Sequence, residues 1–399
     1  MGPPPEGGAV AYRVVIYCPD RHIVYDGRTP YQVGVGGGIS TRVRMARALS
    51  RRGHQVTQIV NCPRHEIIDG VEYVPLGEVS RIQTDVLIGT TSGGELDLGP
   101  LLKLQSDCRL FLVWVHGISK PGSVDELRYH SLYAVSNFIA DFVADEWGVD
   151  RHRVFVSYNG FEEDIFSLAE ESSPPRDPYR LVYFSHPSKG LDAAAGVVRR
   201  LRQADSRYHL VVLGGPRLWG QPEGESRHDE GVEYRGLVGQ PALAQELLQC
   251  QFSLNLQTRQ EPGALAIVDA LRAGCILIGS PVGCYSEMVI DGRDGFLIPG
   301  DSDDEETQQR AAATILVVSE SRGLVQRIRQ RAQSLPWNTD TLAQAWTEHW
   351  EWALRDHERN ERRGEAERVP ACPWCGSSRL GLADGYHCLG CGRYQRVVE

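Results

Sequence analysis

The sequence has none of the features that place a chain in or across a membrane. No apolar run reaches the roughly 18 residues that suggest a transmembrane helix. The opening MGPPPEGGAVAY lacks the basic segment followed by an apolar segment that is typical of a signal peptide. We therefore expect a cytoplasmic protein with no transmembrane segment.

Lysine is scarce, and the chain has only Lys103, Lys120 and Lys189. The formal net charge of −10 argues against general binding to nucleic acid or to anionic membranes, although a local basic patch remains possible. The predicted helix 40–52 is such a patch, because it carries no acid and has arginine at positions 42, 44, 47, 51 and 52. We expect a solvated basic face there, with peripheral contact to acidic lipid as the alternative.

What is present indicates an ordinary globular chain of two to three domains, since 41% of its 399 residues are hydrophobic. The order strand, glycine-rich loop, helix and strand over residues 12–60 is the unit of a doubly wound α/β sheet. The pattern restarts after a linker rich in proline, serine and charge near residues 165–178. We predict an α/β protein with two Rossmann-like domains facing a cleft. The predicted segments are an N-terminal domain 1–168, a C-terminal domain 178–335, a helix 336–358 packing back on the domains, a charged linker 359–369 and a small tail domain 370–399.

The stretch EPGALAIVDALRAGC follows a predicted strand and has the pattern of a ligand-binding helix N-terminus. Free N–H groups and the positive end of the helix dipole favour a phosphate there. Small residues let a ligand approach the backbone closely. We expect a sugar nucleotide, with Glu261 on the sugar hydroxyls and Asp269 on the ribose. The predicted donor contacts are Glu261, Pro262, Gly263, Ala264, Leu265 and Asp269. The alternative is a first-turn acid placed for the dipole and a solvent-facing Asp269.

Residues 261–299 as a whole resemble the donor site of GT-B glycosyltransferases, in particular the large retaining family four. Glu261 matches the first acid of that family's E-x7-E motif, Asp269 replaces the second with a shorter acid, and Glu287 matches a later glutamate. The resemblance extends over roughly residues 12–355. It implies a retaining glycosyltransferase that moves a sugar from a nucleotide-sugar donor, most often a UDP- or GDP-sugar, to a glycan, glycolipid or natural product. The acceptor is unspecified, and catalysis without a divalent ion is implied.

The resemblance also assigns roles to residues outside the donor helix. The lysine of the Lys189-Gly190 pair would meet the donor diphosphate, and His186 stands near the place of a usual arginine, where it could supply charge only if protonated. The glycine-rich loop with Gly37 and Gly38 would approach the donor phosphates. His116, at the end of a predicted strand, would lie near the sugar. The implied catalytic residues are Glu261, Lys189 and His116, with no side-chain nucleophile.

The tail holds four of the ten cysteines in the spacing C-x2-C-x12-C-x2-C. Two such pairs can close a tetrahedral zinc site, so Cys372, Cys375, Cys388 and Cys391 predict a structural zinc ribbon. Iron of the rubredoxin type is the rival metal. The ribbon could contact a protein, an acceptor or a nucleic acid.

Two other functions remain open at this point. One is a catalytically degenerate sugar-nucleotide-binding or scaffold protein recruited by its zinc ribbon. The other is a glycosyltransferase that acts on nucleic acid, as in phage base glucosylation. A sugar-nucleotide epimerase of the same fold matches the residues less well.

Overall fold

The computed structural model describes most of the chain. The described residues are 10–91, 97–222, 224, 227–363 and three short strands at 379–382, 385–388 and 394–396. None of the helices in these ranges is long and apolar enough to cross a membrane.

The N-terminal part of the chain forms one eight-stranded sheet in the order β3-β4-β2-β1-β5-β6-β7-β8. All neighbours pair in parallel except β3 and β4, which form a hairpin. The strands are β1 (Arg13–Tyr17), β2 (Gln55–Val60), β3 (Glu66–Ile68), β4 (Val71–Pro75), β5 (Arg81–Thr90), β6 (Gln105–Val115), β7 (Ser131–Ala134) and β8 (Val154–Val156). The helices of this part are α1 (Thr29–Gln32), α2 (Gly37–Arg51), α3 (Gly99–Leu102) and α4 (Asn137–Trp147).

The C-terminal part forms a second, six-stranded sheet in the order β11-β10-β9-β12-β13-β14, and all its neighbours are parallel. Its strands are β9 (Asp177–Tyr183), β10 (His209–Val212), β11 (Val232–Tyr234), β12 (Cys250–Asn255), β13 (Ile276–Gly279) and β14 (Gly295–Leu297). Its helices are α5 (Glu163–Ser172), α6 (Leu191–Ala204), α7 (Gln240–Gln249), α8 (Leu265–Arg272), α9 (Tyr285–Met288), α10 (Glu305–Glu320) and α11 (Arg322–Gln333). The predicted α/β architecture with two parallel-sheet domains is confirmed.

The segment between the two sheets differs from the linker that the composition predicted. Its first half is the amphipathic helix α5, which buries Phe166 and Ala169 in the same apolar cluster as α7 and α8 of the second domain. The charged and polar residues of this helix face outward, and they account for the linker-like composition. The continuous stretch of chain that builds the first sheet therefore ends before residue 163, and residues 173–176 form the irregular connection into β9.

The long helix α12 (Thr339–Arg363) returns from the second domain to the first. Its fully buried Trp346 and Trp350 join the core of the N-terminal sheet. The Trp346 indole Nε1 donates to Ser157 Oγ at 2.7 Å. Burying two indoles is a large apolar gain, so this helix ties the end of the second domain to the first.

The last three strands form a small antiparallel sheet, with β15 (Arg379–Leu382) and β17 (Tyr394–Arg396) on either side of β16 (Gly385–Cys388). Of the four predicted zinc ligands, Cys372, Cys375 and Cys391 lie outside the described residues, and Cys388 is described only as the last residue of β16. No group of three or more histidine, cysteine or acidic residues that could hold a metal ion occurs in the described part of the chain. The zinc site therefore stays a prediction.

Candidate functional site

A cleft lies where the carboxyl ends of the strands of both sheets meet, with a volume of about 840 Å3. That volume lies in the range of small-molecule sites. His116 directly follows β6 of the first sheet, and Lys189 follows β9 of the second. Glu261 lies in the loop after β12. Open α/β sheets bind ligands at this edge, because the strand ends leave a crevice between loops and helix N-termini.

Glu261 and Lys189 form an ion pair inside the cleft. Lys189 Nζ donates to Glu261 Oε2 at 2.7 Å, and Gln257 Nε2 donates to the same oxygen at 3.2 Å. The glutamate is 8% exposed, whereas a quarter of the lysine side chain is open to solvent. One ammonium and one carboxylate are thus held in fixed positions, and the lysine still faces the space that a ligand would fill.

Two glycines determine the backbone that carries this pair. Gly190 has a φ of +100°, and a Cβ there would lie 1.7 Å from the carbonyl oxygen of Leu256. Gly283 has a φ of +55° and sits against the backbone of Glu261, so that Cys284 N donates to Glu261 O at 2.9 Å. Only glycine adopts both the conformation and the close approach without strain. The lysine loop therefore packs against the start of the loop after β12, and the loop after β13 packs against the backbone of Glu261.

His186 lines the cleft, and its imidazole ring packs against a tryptophan. It stacks on Trp219 with centroids 3.7 Å apart and planes inclined by 7°. Its Nδ1 accepts from the backbone N–H of Ser188, and Nε2 lies 3.2 Å from Gln221 Oε1. Burial lowers the pKa of His186 below its ordinary value, so the ring is neutral near pH 7. Burial thus disfavours the protonated form that a positive charge on His186 would need.

Arg259 supplies a second positive charge that sequence reasoning missed. Its guanidinium lies 5.6 Å from the centre of the Trp219 ring, and Nη1 donates to Ser188 Oγ at 3.1 Å. It lines the cleft together with Lys189. The available signal was a basic residue in the loop after a strand, two positions before Glu261.

Two helix N-termini point at the same cleft. Helix α2 begins at Gly37 and α8 begins at Leu265, and neither has a side-chain cap among the described residues. A Cβ on Gly37 would lie 3.6 Å from Leu265 Cβ, so the two helix starts are in contact. Gly38 and the buried Ala264 also line the cleft at this contact. First-turn N–H groups have no partner within their own helix and favour an anion, so this junction is suited to phosphate.

His116 presents a buried polar atom toward the cleft. Its Nε2 has no hydrogen-bond partner within the described part of the chain, and its ring packs on Trp114 at 4.3 Å. Burial, together with the nearby charge of Arg42, lowers the pKa of His116 to about 3. A neutral imidazole with a free nitrogen can exchange a hydrogen bond with a ligand hydroxyl.

Asp269 lines the cleft, and its carboxylate is bound by an arginine of the first domain. It is 2% exposed, and its two carboxylate oxygens accept from Arg44 Nη1 and Nη2 at 2.9 and 3.0 Å. It is therefore not solvent-facing, and a ribose contact would have to compete with the arginine. Helix α2 has only part of the solvated basic face expected of it, because Arg42 and Arg44 are buried while Arg51 is exposed. Acids from other segments, which the local pattern does not show, neutralise Arg44.

The small residues before α8 serve the contact between domains. A Cβ on Gly263 would come within 2.5 Å of Val135 Cγ2, and Asn159 Nδ2 donates to the Gly263 carbonyl. Pro262 lies three residues before the helix rather than in its first turn, and its carbonyl accepts from Ser136 Oγ. These small residues therefore pack against the first domain, and their role in ligand approach stays a prediction.

Comparison with known families agrees with this architecture. The family described as Glycosyl transferases group 1 matches residues 179–319, which run from β9 into α10. No curated protein sequence matches the chain.

Solved structures resemble nearly the whole described fold. AviGT4, a glycosyltransferase involved in avilamycin A biosynthesis, has a TM-score of 0.59 and 19% identity over 86% of this chain and 98% of its own. HepE of Anabaena in complex with UDP-glucose has a TM-score of 0.54 and 17% identity over 84% and 99%. Sucrose-phosphate synthase from Thermosynechococcus elongatus has a TM-score of 0.60 and 15% identity over 86% and 100%. At these identities the likeness concerns the fold, and the chain has the two-domain GT-B fold of these glycosyltransferases.

Proposed function

We propose that the protein is a retaining glycosyltransferase that moves a sugar from a nucleotide-sugar donor to an acceptor hydroxyl. The observation that carries the proposal is the arrangement around Glu261. This acid faces Lys189 at the junction of two uncapped helix N-termini, inside a cleft between two domains. The site matches a ligand with sugar hydroxyls next to a diphosphate.

The proposed chemistry proceeds on one face of the donor sugar. The bond from the anomeric carbon to the diphosphate oxygen breaks, and the acceptor oxygen bonds to the same carbon from the same side. The acceptor proton passes to the departing diphosphate oxygen. Lys189, Arg259 and the helix starts stabilise the charge that develops on the diphosphate, and their fixed positions make this effective. No side chain forms a covalent intermediate, and no step requires a metal ion.

Glu261 and His116 would hold the sugar. The glutamate oxygens can accept from sugar hydroxyls once the donor diphosphate draws Lys189 away. The unpartnered Nε2 of His116 can bond one more hydroxyl. The UDP-glucose bound to HepE of Anabaena supports a UDP-sugar as the first donor to try, with GDP-sugars next. The acceptor is a glycan, a glycolipid or a natural product.

The test is release of nucleoside diphosphate from UDP-, GDP-, ADP- and dTDP-sugars by the wild type and by Glu261→Gln. Turnover of one donor, lost in the variant, is the expected result. Glu305→Gln is the matched control, because this glutamate is almost fully exposed on α10. Equal rates for wild type and Glu261→Gln would refute the site.

A sugar-nucleotide-binding protein without transfer is the second candidate, favoured by the ion pair that engages Asp269. Detectable nucleotide binding without release of diphosphate, with a panel of glycan and lipid acceptors present, would identify it. Binding of DNA or RNA that depends on residues 370–399 would instead support a nucleic-acid acceptor.

We also propose that the tail binds one structural zinc ion through Cys372, Cys375, Cys388 and Cys391. The thiolate spacing supports it, as does the antiparallel pairing that sets Cys388 opposite Arg379 in a small sheet. Elemental analysis of the full chain should find about one zinc per protein, and Cys372→Ser/Cys375→Ser should abolish it. Iron in place of zinc would identify the rubredoxin-like alternative.

A further inference from the structure

Arg44 joins three parts of the molecule from a fully buried position. It lies on α2 of the first domain, and its side chain is 2% exposed. Nη1 donates to Asp269 Oδ1 and to the Gly160 carbonyl, both at 2.9 Å. Nη2 donates to Asp269 Oδ2 at 3.0 Å and to Gln240. Asp269 lies on α8 and Gln240 on α7, both in the second domain. Gly160 lies in the connection between β8 and α5.

The acids nearest Arg44 are buried, whereas the other basic side chains that meet them are partly exposed. Glu162 approaches Arg44 Nε at 3.8 Å and accepts from Arg47 Nη1 at 3.0 Å and from Tyr31 OH at 2.7 Å. Three arginines, Arg44, Arg47 and Arg51, thus face the two buried carboxylates of Glu162 and Asp269. A buried ion pair adds little net stability, because desolvation offsets the attraction, yet its two-point geometry fixes one relative orientation of its partners.

That orientation bears directly on the anion site. Gly37 begins α2 and touches Leu265, which begins α8. Arg44 lies about two turns after Gly37, and Asp269 lies about one turn after Leu265. The two helices therefore meet at two levels, at their starts and again at the ion pair. Separating the pair would move the two helix N-termini apart.

We propose that Arg44 and Asp269 are positioning residues that hold the two domains together so that both helix N-termini face the donor diphosphate. On this assignment the second acid of the donor helix acts through Arg44 and does not bind the ribose. The inference rests on the proposed donor site and adds the ion pair that holds its two halves together.

The first test compares nucleotide binding with a ribose-specific readout. Whichever of UDP, GDP and ADP binds the wild type most tightly is titrated by calorimetry, together with its 2′-deoxy analogue. Arg44→Met and Asp269→Asn should each weaken binding of both nucleotides about tenfold or more, and leave the ratio between them unchanged. Arg52→Met is the matched control, because this arginine is exposed at the end of α2. A ratio that falls to one in Asp269→Asn alone would make this acid a ribose ligand and overturn the proposal.

The second test needs no ligand, and so separates failure of this inference from failure of the proposed function. Small-angle scattering should show a larger radius of gyration for Arg44→Met and Asp269→Asn than for the wild type and Arg52→Met. The double variant Arg44→Met/Asp269→Leu removes both charges and should fold more stably than either single variant. Unchanged dimensions in all the variants would overturn the proposal, even if no nucleotide binds.

Discussion

Lys189 Nζ and Glu261 Oε2 lie 2.7 Å apart inside the cleft, although 72 positions separate the two residues in the chain. The lysine comes from the loop after β9 and the glutamate from the loop after the neighbouring strand β12. Adjacent parallel strands bring both loops to one edge of the sheet. If the proposed function holds, a donor diphosphate must compete with the Glu261 carboxylate for the lysine.

Replacing Lys189 with alanine should lower kcat/KM about 100- to 1,000-fold, the usual loss when one fixed donor to developing charge is removed. Lys103→Ala is the control, because this lysine is exposed outside the cleft. Steady-state kinetics with the active donor measure the effect. A loss of kcat/KM no greater than that of Lys103→Ala would show that Lys189 does not act in the site.

Replacing Trp219 with alanine should weaken nucleotide binding, because the indole supports both His186 and Arg259. Trp219→Phe keeps an aromatic face and should restore most of the affinity. Calorimetry on the two variants gives the comparison. If both the Trp219→Ala and the Trp219→Phe variants bind nucleotide as tightly as the wild type, the Trp219 ring does not position Arg259.

Stability should fall as the pH drops below about 6.5. Burial lowers the pKa of His349 to about 3 and that of His54 to about 4, both from an ordinary value of 6.5. Between these values the unfolded chain binds protons that the folded chain does not, so folding weakens toward acid by up to about 1.4 kcal/mol per pH unit for each histidine. Denaturant unfolding at several pH values gives the free energy of unfolding as a function of pH. This free energy should change less steeply with pH in His349→Gln than in the wild type. The exposed His228→Gln should keep the wild-type slope.

Two glycines with similar backbone angles should respond differently to alanine. Gly53 has a φ of +94° with open space around its Cβ position, so Gly53→Ala should cost about 1–2 kcal/mol of strain. Gly190 has a φ of +100° and meets the Leu256 carbonyl oxygen, so Gly190→Ala must also move the lysine loop. Unfolding free energies should show the larger loss for Gly190→Ala, accompanied by weaker nucleotide binding. Equal losses would mean that the close approach to Leu256 has no energetic effect.

Much of the local structure could be predicted from the spacing of hydrophobic residues and from the turn and capping residues that end strands and helices. The segment SLYAVS predicts a strand, and β7 forms over its first four residues before Ser136 caps α4 by accepting from Ile139 N. The hairpin of β3 and β4 was missed, although its turn carries the signal Asp69-Gly70, with both residues at positive φ. Helix α5 was missed because its charged outer face resembles a linker in composition.

The sequence by itself determined the alternation of strands and helices, the glycine loop before α2 and the acid before α8, because these depend on neighbours within a few turns. Only the tertiary structure decided the partners of the buried charges. Arg44 meets Asp269 across 225 positions. Arginine repeats on a helix look like a solvated face until another domain covers them. Which acid an arginine meets depends on how the two domains pack, and no local pattern records that.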